Sequence, residues 1–164
     1  MDLTPERVTE EAQWVTDRAD TVVPLLNDTR ARLGEVFGTT VDPVDHEAYR
    51  ESVATVFADG EVAVNVAAYV ALLRGLDVDG DYPGFVVDEV LGRELAAAIA
   101  GGMPLSLLAQ ATFHYADVTT HSAGGAGIDD LDAALAAGFQ TRLPGWTWRA
   151  GESPFAVDPD ELER

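Results

Sequence analysis

Between Gly101 and Ile128 only one residue, Asp117, carries a formal charge. The rest of the chain is crowded with them: 164 residues hold 29 acids and 10 bases, for a net charge of −19. A chain that spreads carboxylates over its wetted surface marks drier surface by leaving them out. The stretch is therefore expected to be a central helix or a helix at an interface. The longest wholly uncharged run of the chain, Leu95 to Ala116, overlaps this stretch and has the length of a membrane span. Gly101, Gly102 and Pro104 cut that run, and Ser106, Gln110 and His114 add polar groups, so two buried helices are expected and no membrane association.

The remaining sequence reads as helices in series. Thr4 before Pro5 and Glu6 supplies an N-cap, a proline at the first helical position and an acid near the positive end of the dipole. Val8, Ala12, Val15, Ala19, Val22, Leu26, Leu33 and Val36 then keep a 4-3 spacing broken at Thr29, which is one apolar stripe on a long helix or helix pair. The stripe suits packing within the chain, with a dimer seam as the alternative. Pro24 costs about 3 kcal/mol in a helix interior, which predicts a kink there or a new helix capped by Asp20 or Thr21. Asp42, Pro43 and Asp45 open a segment running through Tyr49, Val53 and Val56 to Asp59 and Gly60. Over Glu61 to Leu76 the alternation of Val62, Val64 and Val66 resembles a strand, yet its length and Gly75 favour a helix.

A loop over 77–84, a helix from Phe85 to Ala100, another from Pro104 to near Ser122 and a glycine-rich turn from Gly124 to Gly127 follow. Asp129 or Asp130 is expected to cap a last helix through Leu131, Leu135 and Phe139, ended by Pro144. Six or seven helices on short connections, with no repeat and no linker, predict an all-α, single-domain bundle over residues 1–164, with 151–164 as an acidic, flexible tail.

All ten basic residues are arginine, and lysine is absent. Arginine keeps its bidentate carboxylate geometry against competing salt, whereas the self-repulsion of so acidic a chain loosens it in dilute buffer. At molar salt the Debye length falls to about 3 Å and that repulsion is screened. Composition thus points to a halophilic cytoplasm. It also excludes direct nucleic-acid binding, since no basic stripe exists to neutralise phosphates. With no cysteine there is neither disulfide nor thiolate chemistry, and the acidic start from Met1 to Glu11 is unlike a secretory leader.

Chemistry concentrates on the uncharged segment. At 100° per residue Leu107, Leu108, Ala111, Tyr115 and Val118 share a helix face, and Gln110, His114, Asp117 and His121 lie within about 60° of one another beside it. Two imidazoles with a carboxylate between suit zinc or non-haem iron, completed from a neighbouring helix by Glu89 or Glu94. His114 and His121 lie about 10 Å apart along the axis, so His114 with Asp117, or Asp117 with His121, is the feasible ligand pair. Asp117 also suits the role of orienting a histidine as general base, but no nucleophile stands nearby. The plainer alternative is a hydrogen-bonded polar edge.

Asp77, Asp79 and Asp81 suggest a cation loop, although Tyr82 and Asp88 occupy the positions where an EF-hand needs glycine and glutamate. His46 reads as a surface residue, and Gly124, Gly125 and Gly127 as a turn, because no lysine follows them to serve a phosphate. Trp146 and Trp148 are candidates for contact with a partner, one of them capping the core. No cofactor is required by the sequence. Two functional readings stand. One is a non-catalytic helical domain that binds a protein partner or itself; the other is a metal-dependent or acid–base enzyme centred on His114, Asp117 and His121.

Overall fold

The computed structural model describes residues 2–76, 87–118, 126–146 and 157–162, with backbone only at 87–89 and 126–127. Among the described residues there are eight α-helices and no strand, so the fold is all-α. Helix α1 (Pro5–Asp17) starts where the Thr4 hydroxyl accepts the Arg7 N–H at 3.1 Å. One residue, Arg18, separates it from α2 (Ala19–Phe37). Asp20 and Thr21 therefore lie inside the first turn of α2 and do not cap it. Pro24 sits exposed within α2, and the helix break lies six residues before it, at Arg18.

The stripe on these two helices turns into the molecule. Val15, Ala19, Val22, Leu26 and Leu33 are buried, and Thr29 fills the break, its hydroxyl donating to the Leu25 carbonyl at 2.9 Å. Only Val36, 62% exposed, has drifted off the inner face. Asn27 clamps the following loop, its side-chain amide donating to the Val44 carbonyl and accepting the Val44 N–H, each at 2.9 Å. Helix α3 (His46–Ala58) is capped by Asp45, which accepts from the Ala48 N–H at 2.8 Å. Helix α4 (Gly60–Gly75) is capped by Asp59. Val62, Val64 and Val66 are half-buried, exposed and buried in turn, an arrangement set by helical rotation.

A π-helical stretch (Val87–Gly92) runs into α5 (Arg93–Ala100), which ends at Gly101 with φ +92°. Helix α6 (Leu105–Asp117), α7 (Ala126–Gln140) and the short exposed α8 (Pro159–Leu162) complete the chain. The central helix is α7, and α6, whose one formal charge is Asp117, lies at the side. Every residue from Leu131 to Thr141 is buried, and α7 packs against α2, α3, α4, α5, α6 and the π stretch. Ala133, Ala134, Ala136, Ala137 and Gly138 let neighbours approach on all sides. A Cβ on Gly138 would lie 2.8 Å from that of Ile99 and 2.9 Å from the Ala96 carbonyl oxygen. Because α7 begins at Ala126, Asp129 lies in its first turn and neither Asp129 nor Asp130 is its cap.

No single helix among the described residues is long and apolar enough to cross a membrane. Helices α3 and α4 together have the length and composition, but they bend by 111° at Asp59. Val53, Val56, Ala63, Val66, Ala67 and Val70 on that pair are buried in the bundle.

Candidate interaction surface

Helix α6 has one inner and one outer face. Ala109, Thr112, Phe113 and Ala116 are buried against α5 and α7. Gly92 makes room for the Phe113 ring, since a Cβ there would come within 2.4 Å of it. The outer face holds Leu107 (55% exposed), Ala111, Tyr115 (40%) and Val118 (48%), with Met103 (77%) just before the helix. Met103 apart, these share a face in the sequence with Leu108, and that face points to solvent except at Leu108, which is half-buried. Val90, 47% exposed, lies on the π stretch. None of these residues carries a charge.

His114 is exposed on the same side, its ring meeting that of Tyr115 edge-on with centroids 6.5 Å apart. Gln110 and Asp117 are half-buried along the flank. Glu94 is exposed, whereas His121, the Glu89 side chain and Asp77, Asp79 and Asp81 lie outside the described residues. Among the described residues no group of three histidines and acids is arranged to hold a metal ion. His46 is paired to Asp20 at 2.9 Å on the surface. Trp146 is 1% exposed, its indole N–H donating to the Gln140 carbonyl at 3.1 Å, so it belongs to the core; Trp148 lies outside the described residues.

Several charged groups are inside. Asp132 on α7 is fully buried and takes both ends of the Arg18 guanidinium, with Nε at 3.0 Å. Burial raises its carboxyl above the ordinary range, although the Arg18 hydrogen bond opposes the shift. Burial, then the nearby Asp132 charge, likewise raises the Tyr49 phenol, which donates to the Val15 carbonyl at 2.8 Å. Glu11, 1% exposed, joins Arg7 at 2.8 Å to Arg74 at 2.6 Å. Trp14 lies under two cations, Arg74 at 4.7 Å and Arg18 at 5.3 Å from its ring centroid.

Arg30, 1% exposed, donates to the carbonyls of Gln140, Asp42 and Pro144 and lies 5.4 Å from the Trp146 ring centroid. Its burial lowers the guanidinium to about 10. Neither the role of Arg30 nor that of Asp132 was evident from charge alone. The available signal was periodicity: Glu11 and Arg30 fall on the apolar stripe of α1 and α2, and Asp132 on that of Leu135 and Phe139.

An open cleft of about 360 Å³ lies between α3 and the turn after α7. Its polar groups are Glu51, Ser52, Thr55 and Arg142, of which the Thr55 hydroxyl donates to the Glu51 carbonyl and Arg142 Nε to the Ile99 carbonyl. Among the described residues that line it there is no paired nucleophile and base. Among the described residues the outer face of α6 stands apart by its lack of charge.

A sequence-family profile matches residues 1–159, nearly the whole chain. The chain belongs to the family described as a domain of unknown function, DUF7984. No curated protein and no solved structure matches it. For this DUF7984 chain, function has to be argued from the charge distribution and the geometry of α6.

Proposed function

We propose that this is a non-catalytic helical domain of a salt-rich cytoplasm, whose work is to bind protein through the outer face of α6. One observation carries the reading: in a chain of net charge −19, Met103, Leu107, Ala111, Tyr115 and Val118 form an exposed surface without a charge. Their exposed side chains amount to on the order of 400 Å², the size of the largest apolar patch on a typical monomer, which is often functional. At molar salt such apolar contact gains strength while contacts between surface charges are screened, so an uncharged face is the effective recognition element in that solvent.

A photo-cross-linking amino acid placed at Leu107, in cells of the natural host, tests this. A protein adduct at Leu107 that is absent with the same group at the exposed Ala54 of α3 is the expected result. No adduct at Leu107, or equal adducts at both positions, rejects the assignment.

A further inference from the structure

Resting on that reading of the α6 face, we infer that its partner is a second copy of the chain, with the two α6 helices packed antiparallel. Leu107, Ala111, His114 and Val118 lie at 4-3-4 spacing along the exposed side, the spacing of a two-helix seam. In a two-fold contact, if residue i of one copy meets j of the other, j must also meet i. Antiparallel alignment about a point between Thr112 and Phe113 sets Leu107 against Val118 of the second copy and Ala111 against His114. Branched meets branched, and the smallest side chain meets the imidazole. Parallel alignment sets Ala111 against Ala111 and His114 against His114, leaving a gap beside a crowded layer.

Charge narrows the partner in the same direction. At molar salt the attraction of a basic protein to the acidic remainder of the surface is screened and leads to no particular face, and what is left is apolar contact between faces free of acids, of which a second copy brings one of matching shape. The contact is smaller than the roughly 800 Å² per partner of a standard interface, so association is expected in the micromolar range or weaker.

Light scattering at molar KCl, with chain from about 10 µM to 1 mM, is expected to show the mass rising toward twice that of the chain. Leu107→Glu should hold the mass at one chain with no loss of thermal stability, because Leu107 is exposed. The chain has no cysteine, so introduced thiols report the register without background. In Leu107→Cys/Val118→Cys the two thiols of one helix are about 16 Å apart, too far to bridge within a chain. Mild oxidation should therefore give a covalent dimer of the double variant and none of either single variant.

A chain monomeric throughout, or Leu107→Cys cross-linking by itself as parallel packing requires, overturns the proposal. If the chain is monomeric yet the Leu107 photo-adduct in cells contains a different protein, self-docking falls while the protein-binding reading stands. Absence of any adduct removes both.

Discussion

Arg18→Met should destabilise the fold by an amount that grows with pH. Asp132 is fully buried while Arg18 is 26% exposed, so the substitution strands the carboxylate and takes the cation away from the Trp14 ring. Leaving a buried charge unpaired costs about 3–5 kcal/mol. Asp132 can instead take a proton. At pH 7, against an unfolded value of about 3.9, that costs about 4 kcal/mol, a limit close to the first. At pH 4 the protonated route is nearly free, and only the lost hydrogen bonds and cation–π contact remain, about 1–2 kcal/mol.

The sign follows from linkage. A carboxyl whose folded value is raised binds its proton in the folded chain first. Its contribution is therefore fully present below the unfolded value and is lost as pH rises through the folded one. The parent chain shares this direction at Asp132, but Arg18 holds the charged form and closes the window sooner. The loss in Arg18→Met should thus stay near its low-pH value until pH passes the parent's own raised folded value at Asp132, grow by about 1.4 kcal/mol per pH unit beyond it, and level near 4 kcal/mol. Urea unfolding in molar KCl, followed by fluorescence of the three tryptophans between pH 4 and 8, measures it. At pH 7 the Tm should fall by roughly 8–16 °C. Adding Asp132→Asn to Arg18→Met should abolish the slope. A loss independent of pH, or a slope that survives Asp132→Asn, would refute the reasoning.

Two further outcomes follow from the same structure. Raising KCl from about 0.1 M to 2 M shortens the Debye length from about 10 Å to near 2 Å, and should raise the Tm by about 10 °C or more; a flat or falling curve would separate the acidic composition from salt adaptation. Gly138→Ala puts a Cβ 2.8 Å from that of Ile99 and against the Ala96 carbonyl, so α5 must shift away from α7. A loss of about 1–3 kcal/mol in urea unfolding is expected, and an unchanged or higher stability would mean that the α5–α7 contact yields easily.

The helices were legible because their signals are local. Thr4, Asp45 and Asp59 cap the helices that follow them through hydrogen bonds spanning only three residues, and the α1–α2 stripe needs only helical rotation to be recognised. Pro24 located the helix boundary only to within six residues, since the break lies at Arg18 and tertiary packing decides where it falls. The order of the bundle was hidden for a related reason. Asp130 and Asp132 make α7 look wet, yet Arg18, 114 residues distant in sequence, neutralises Asp132 inside the fold.

Missing charge has two causes, burial and contact with another surface, and α6 shows how to tell them apart. A helix surrounded on all sides needs small residues so that neighbours fit, as Ala133, Ala134, Ala136, Ala137 and Gly138 provide on α7. Helix α6 instead carries Leu107 and Val118, each about half exposed, on the side away from its buried Phe113. Bulk without charge on an outward face adds nothing to the core, and in dilute buffer it lowers solubility. On so acidic a chain such a face is the kind of surface that the proposed protein contact would use.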